Sequence, residues 1–344
     1  MVHDRKVSDR KNDHLRINLE KDVQSGCSTG LEGFVLEHCA LPEVNLNEVD
    51  TSCSFLRYKL QFPLIISSMT GGNKEGGRIN RNLAEAAQDQ GVALGLGSQR
   101  AMLENHELDF SFQVRDYAKD IPIFGNIGAI QFNYGLSVED CLRLVAQVKA
   151  DGLILHLNPL QEALQPEGET NFKGLVKQIE ALCKKAQFPV IVKEVGWGIS
   201  GKTAKALIDT GVSAIDVAGA GGTSWSQVEA NRINDKRTQR IAFDFKEWGI
   251  STSESILQVR AVDRKITLIA SGGIRNGIEV AKCVALGATI CGVAGRILRA
   301  ATKSTESVIQ EINEIKKEMR IAMFTTSCAN ITDLESNKIS RLKG

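Results

Sequence analysis

The chain has no apolar run that approaches a membrane span. Its longest, such as "FPLII" and "PVIV", are strand-sized, whereas a spanning helix takes about 20 apolar residues. It has almost no net charge. Lys and Arg number 42 against 41 Asp and Glu, a balance of +1, which leaves no electrostatic footprint for a nucleic acid. The opening "MVHDRKVSDRKNDHLRINLEK" is too polar to read as a secretion signal, and several acids in that stretch argue against a transit peptide. A cytoplasmic protein without membrane or nucleic-acid partners is the expectation. No two of the eight cysteines (27, 39, 53, 141, 183, 283, 291 and 328) form a CxxC pair, so zinc spacing is missing and reduced, mostly buried thiols are expected. Histidine is scarce: five residues, at 3, 14, 38, 106 and 156.

What is present is a repeated alternation of strand and helix signals over 344 residues, 42% of them hydrophobic. The predicted strands are "PLIISSM" (63–69), "VALGLG" (92–97), "IPIFGNIG" (121–128), "GLILHLN" (152–158), "PVIVKEVG" (189–196), "AIDVAGAG" (214–221), "TLIASGG" (267–273) and "ATICGVAG" (288–295). Amphipathic helices separate them. One carries Ile79, Leu83, Ala86 and Ala87 on a single face, one starts at Ser137 as N-cap, "SGKTAKALIDTG" and "NGIEVAKCVALG" end at glycines, and the last spans about 306–324. Nearly continuous apolar strands suit a parallel sheet covered on both faces. Eight such units predict an α/β protein with a (β/α)8 TIM barrel at 61–344, preceded by a leader at 1–60 with its own basic content. An open doubly wound sheet is the alternative. The stretch 222–252, between the sixth strand and its helix, is long enough to suggest a functional or mobile loop.

In this fold catalytic groups come from the C-terminal strand ends. Those ends read "SSMTGGN", "GSQR", "GNIGAIQFN", "HLNPLQEALQPEG", "KEVGWG", "GAGGTSW", "SGGIRNG" and "AGR". The seventh and eighth combine glycines with a helix start and Arg275, a phosphate-gripping arrangement. Lys193 sits among apolar neighbours and must face polar company inside the mouth; it could form a Schiff base or stand beside an electron-rich cofactor ring. His156 and Asn158 alternate with Leu155 and Leu157, which puts both on the interior face. Gln161 and Glu162 follow on the loop. Glu162 is either a magnesium ligand beside a phosphate or a solvated loop acid. In the leader, Arg10, Lys11, His14 and Arg16 could belong to a disordered tail or to a lid over a polyanion.

The motifs "SSMTGG", "GLGSQR", "HLNPLQEALQPEG", "VKEVGWGIS", "AGAGGTSW" and "ASGGIRNG", in this order and flanked by "RKNDH" and "GRIL", resemble the type 2 isopentenyl-diphosphate isomerases. The resemblance covers nearly the whole chain, and no motif departs from the family's pattern. It implies FMN held by Ser68, Met69, Thr70, Gly71, Ser98, Asn126, Lys193, Thr223, Gly273, Ile274, Arg275, Ala294 and Gly295. It implies a diphosphate substrate met by Arg10, Lys11, Ser98, Gln99, Arg100, His156, Asn158 and Gln161, with Gln161 against the isoprene unit. Glu162 would bind Mg2+, and Gln161, Lys193 and His156 would serve catalysis. It also implies a flavin that works reduced, commonly by NADPH, in a reaction without net redox change, and a homo-oligomer, often an octamer. The residues themselves leave open which base removes the allylic proton and what Gln165 and Glu167 do. An FMN-dependent 2-hydroxy-acid oxidase, on the same fold, would need a histidine after the sixth strand, and none lies beyond His156. A non-catalytic flavin- or phosphate-binding barrel is disfavoured by the joint presence of Gln161, Glu162 and Lys193.

Overall fold

A computed structural model describes residues 2–336 and 339–342, with side chains from residue 10 onward apart from that of residue 104. Eight parallel strands close into a barrel: β1 Leu64–Ile66, β2 Ala93–Gly95, β3 Ile123–Gly128, β4 Gly152–His156, β5 Val190–Lys193, β6 Ala214–Asp216, β7 Thr267–Ser271 and β8 Ile290–Val293. They follow one another in chain order, and β8 pairs with β1 through Cys291–Leu64, Gly292–Ile65 and Val293–Ile66. The (β/α)8 expectation is met and the open sheet is excluded. Several ladders are shorter than predicted; β6, for instance, stops at Asp216 rather than 221. The residues beyond carry polar or glycine positions that leave the ladder for the mouth.

Side-chain alternation divides the strands between two cores. Ile65, Ala93, Phe124, Ile154, Ile191, Ala214, Ile269 and Ile290, one from each strand, fill the barrel. Their even-numbered or odd-numbered neighbours, such as Leu64, Leu94, Leu153, Leu155 and Val192, pack outward under the helices. A hairpin of the leader, Cys53–Phe55 with Tyr58–Leu60, inserts Phe55 and Leu60 into the interior cluster and plugs the barrel.

The helices follow the local signals. Lys74–Gln90 is capped by Asn73 and ends at Gly91 in the left-handed conformation, and Ile79, Leu83, Ala86 and Ala87 are all buried. Ser137 makes a reciprocal capping box with Asp140. In the last long helix, Thr305–Phe324, Val308, Ile312 and Ile315 are buried. The 222–252 stretch is built around two helices, Trp225–Ala230 and Lys236–Asp244.

The leader is tied to the barrel mouth. A helix spans Val2–Glu20, and residues 23–25 run beside 222–224: Ser25 N–H donates to Gly222 O (2.7 Å) and Ser224 N–H to Val23 O (2.8 Å). Ile17 and Val23 are buried with Val228. Farther on, Phe34–Leu36 pairs antiparallel with Ile339–Arg341, tying the leader to the last strand.

Candidate active site

The strand ends, the Val2–Glu20 helix and the 222–252 insertion surround one cavity of about 800 Å³. Among the described residues its lining carries eight Lys and Arg side chains but only two carboxylates, those of Glu162 and Glu311. The Arg10 guanidinium is lowered from its ordinary value, first by burial and then by the like charge of Arg100, with Glu167 and Glu162 partly offsetting. Crowded cations of this kind are relieved by an anionic ligand.

One wall is built from β3, β4 and β1. His156, the last residue of β4, places Nδ1 2.9 Å from Asn126 Oδ1. The Asn126 amino group donates to Ser68 Oγ at 3.0 Å. Burial, then the charges of Lys193 and Arg10, push the His156 imidazole down to about 4, so it is neutral at pH 7. Lys193 ends β5. Its ammonium donates to Glu194 O (2.9 Å) and lies 3.4 Å from Asp216 Oδ2, while Ser271 donates to Asp216 Oδ1 at 2.6 Å. The buried lysine thus keeps a counter-ion on the neighbouring strand.

Gln161 and Glu162 lie on a short helix, Pro159–Leu164, and not on the loop expected. Pro159 starts it, since a first-turn residue needs no N–H partner. Asn158 donates to Gln161 Oε1 (3.2 Å) and to Glu162 Oε1 (2.8 Å); Gln165 (2.5 Å) and the Glu169 N–H (2.8 Å) donate to Glu162 Oε2. Glu162 is buried, so it is no solvated loop acid. Its donors are all neutral, and its negative charge stays available to a cation. The chain turns back at Gly168, where a Cβ would stand 1.7 Å from Glu162 O. That turn presents Glu169 to Arg100 in a two-pronged pair (2.9 and 3.0 Å) and Glu167 to Arg232 (2.7 Å).

Behind Gln161 stand residues that sequence reasoning did not single out. Glu229, fully buried, accepts from Gln161 Nε2 (3.0 Å) and Arg232 Nη1 (2.6 Å), and its Oε1 lies 2.9 Å from His14 Nε2. Burial would raise this carboxyl, but the His14, Arg232 and Gln161 contacts prevail and hold it down to about 2. Trp225 and Glu229 stand four apart on one helix, a spacing that could have flagged a shared face; nothing in the sequence pointed to Gln24 or Gln131.

Of the predicted residues, Arg10, Lys11, Ser68, Met69, Thr70, Ser98, Arg100, Asn126, His156, Asn158, Gln161, Glu162, Lys193, Thr223, Gly273, Ile274, Arg275, Ala294 and Gly295 all line the cavity. Lys11 Nζ donates to Ser98 O at 2.9 Å, which fastens the leader helix to the end of β2. Two predicted residues do not line it. Gln99 is fully buried behind the wall, its side-chain oxygen accepting the Asn126 N–H (2.9 Å) and its amino group facing Met102 Sδ. Gly71, at φ +149, is pressed against the Phe112 ring, where a Cβ would come within 2.2 Å. Both support the site from outside it.

The residues present suit a phosphate-bearing flavin. Gly272 and Gly273 adopt φ of +105° and +76°, and a Cβ on either would strike the carbonyls of Gly219 or Gly221. Gly295 has open space where a Cβ would stand, and Ala294 offers no capping side chain, so first-turn N–H groups are left for a ligand. Buried Ser67 Oγ and Asn158 Oδ1, both at the cavity, have no hydrogen-bond partner among the described residues. Among the described residues no three His, Cys, Asp or Glu gather to hold a metal by themselves. A lone carboxylate such as Glu162 matches magnesium bound jointly with substrate phosphate oxygens.

Comparison with known proteins agrees with this geometry. Residues 157–341 match the FMN-dependent dehydrogenase family. The chain is 51% identical over 326 residues to an isopentenyl-diphosphate delta-isomerase of Synechocystis sp. (strain ATCC 27184 / PCC 6803 / Kazusa), covering 94% of this chain and 93% of the relative. It is 48% identical over 337 residues to the same-named protein of Nostoc sp. (strain PCC 7120 / SAG 25.82 / UTEX 2576), covering 97% and 96%. A mandelate oxidase structure with (S)-2-phenylpropionate superposes with a TM-score of 0.68 at 18% identity, over 96% of this chain and 94% of that one, a likeness of fold. Identity near one half along almost the entire length makes this chain a member of the isopentenyl-diphosphate delta-isomerase family, an isomerase on an FMN-type barrel.

Proposed function

We propose that the cavity binds reduced FMN, Mg2+ and isopentenyl diphosphate and interconverts that substrate with dimethylallyl diphosphate. The observation that carries the reading is the meeting, in one cavity, of leader cations Arg10 and Lys11 with Glu162, Gln161 and the glycine-lined ends of β7 and β8. Moving the double bond requires one proton delivered to the terminal alkene carbon and another taken from the allylic carbon, with no net change in protons or electrons. Reduced flavin, when bound, would supply the acid–base chemistry for the alkene.

The protein's own groups prepare that exchange. Ser68, Met69, Thr70, Lys193, Thr223, Gly273, Arg275 and Gly295 would hold the flavin. Arg10, Lys11 and Arg100 would neutralise the diphosphate, with Mg2+ at Glu162. Gln165 answers to Glu162 as its hydrogen-bond donor, and Glu167 restrains Arg232 beside Glu229. Gln161, gripped by Asn158 and Glu229, is rigid and non-ionisable; it orients the isoprene unit and does not titrate. The leader helix, anchored by Lys11 and His14, excludes water from a site where a weak alkene base must compete for a proton. NADPH as reductant, a cytoplasmic setting and a homo-oligomer belong to the same reading. Exposed Ile241, Phe243 and Trp248 on the insertion support assembly. Among the described residues no helix is long and apolar enough to cross a membrane.

The test is anaerobic turnover in D2O with FMN, NADPH, Mg2+ and isopentenyl diphosphate, followed by NMR. Deuterated dimethylallyl diphosphate, formed only with reduced flavin, is the expected result; a flavin-loaded protein without product overturns the reading. Glu162→Gln should lower kcat/KM by on the order of a thousandfold, equivalent to about 4 kcal/mol. FMN affinity should stay within about twofold, because a change at Glu162 leaves the flavin side of the cavity untouched. Unchanged kcat/KM in this variant would remove Glu162 from the metal site.

A further inference from the structure

Asn126 joins the two halves of the cavity. Its side-chain oxygen meets His156 Nδ1 at 2.9 Å and its amino group meets Ser68 Oγ at 3.0 Å. Gln99 clamps the backbone beneath it: Gln99 N–H donates to Asn126 O (2.8 Å), and Asn126 N–H donates to Gln99 Oε1 (2.9 Å). Asn126 is itself buried. The amide therefore retains one easy freedom, a half-turn about its last bond. Its C=O and NH2 ends are nearly the same size, so the half-turn preserves both heavy-atom contacts and reverses both hydrogen bonds.

The two settings differ at each end. In the first, Asn126 accepts from His156 Nδ1–H and donates to Ser68. The imidazole then carries a lone pair on Nε2, and the Ser68 hydroxyl hydrogen is free for another acceptor. In the second, Asn126 donates to Nδ1, Nε2 carries the hydrogen, and the Ser68 hydroxyl donates to Asn126. Its lone pairs are then free for another donor. His156 Nε2 has no hydrogen-bond partner among the described residues. A diphosphate oxygen repels the Nε2 lone pair of the first setting and accepts from the N–H of the second.

We propose that Asn126 is a positioning residue that turns its amide over when the diphosphate reaches His156 and thereby converts Ser68 from hydrogen-bond donor to acceptor on the flavin side. The inference rests on reading His156 as a diphosphate contact and Ser68 as a flavin contact. It gives Gln99 a role as well, since a backbone free to shift would break the contacts instead of reversing them.

The experiment uses FMN-loaded protein labelled with 15N-histidine and titrated with inorganic pyrophosphate. NMR reads the protonation of each ring nitrogen of His156, identified by the signal that His156→Asn removes, and the flavin absorption is followed in parallel. The expected result is a neutral Nδ1–H imidazole in free protein and a neutral Nε2–H imidazole at saturation, with a flavin band shift. In Asn126→Asp, whose carboxylate only accepts, Ser68 remains its donor throughout, and the band shift should fall by at least half. Pyrophosphate that binds about tenfold more weakly to His156→Asn, in keeping with loss of one charge-assisted hydrogen bond, yet leaves the native tautomer unchanged, overturns the relay and keeps the His156 contact. Equal affinity in native protein and His156→Asn, or no saturable binding, overturns the contact itself and the relay with it.

Discussion

Glu229→Gln is expected to lower the unfolding free energy by about 3–5 kcal/mol, the range for removing one partner of a buried ion pair. Glu229 is fully buried and accepts from Gln161 and Arg232, with His14 against Oε1. An amide cannot satisfy that arrangement in either orientation. With its NH2 at the Oε2 position it faces the Arg232 guanidinium, and with its NH2 at the Oε1 position it faces the Gln161 amino group. Urea unfolding measures the cost, and a loss below about 1 kcal/mol would refute the account, since that is the worth of an exposed pair. The pH dependence has a definite sign. The native carboxyl, held down to about 2, lies below its ordinary 4.5, so the unfolded chain takes up the proton first as pH falls. The gap between native protein and variant should be full above about pH 4.5 and narrow as pH drops toward 2. Because His14 and Gln161 share the carboxylate, kcat/KM should fall along with stability, linking the leader helix to the reacting end of the cavity.

Lys193→Met should weaken FMN binding by on the order of a hundredfold, about 3 kcal/mol, the upper range for a hydrogen bond to a charged group. The lysine is buried at the end of β5, and its ammonium has two fixed neighbours, Glu194 O at 2.9 Å and Asp216 Oδ2 at 3.4 Å. Methionine keeps the packing volume and removes the charge, so buried Asp216 is left, among the described residues, with the Ser271 hydroxyl and the Ala218 N–H as donors. Fluorescence titration of flavin-free protein with FMN measures the loss. Lys193→Arg should not restore binding, because the planar guanidinium cannot occupy the compact ammonium's place between two strands. FMN affinity within about threefold of native in Lys193→Met, well short of one hydrogen bond's worth, would place the lysine away from the flavin.

Much of the architecture could be read from local pattern. Strand periodicity placed all eight barrel strands, because a parallel strand buried on both faces needs a nearly unbroken apolar run and each run here ends in polar or glycine residues. The alternation of His156 and Asn158 with leucines assigned both to the interior; His156 closes β4, Asn158 lies just past it as the N-cap of the next helix, and both line the cavity. Gln99 and Gly71 misled because adjacency to a motif does not say which way a residue faces: one turns behind β3, the other against Phe112. The helix at Pro159–Leu164 was hidden by its length, since six residues cannot display a 3.6-residue period.

The sequence by itself determined the barrel, its mouth, the cationic and glycine-rich groups gathered there, and the family to which they belong, because these depend on order and spacing along the chain. Tertiary structure alone decided the buried carboxylate behind Gln161. Glu229 lies 68 residues from Gln161 and 215 from His14, yet all three meet at one carboxylate. Nothing local encodes such a meeting. It arises because closing eight strands into a ring brings the insertion after β6 over the mouth, where the burial of Ile17, Val23 and Val228 holds the leader against it.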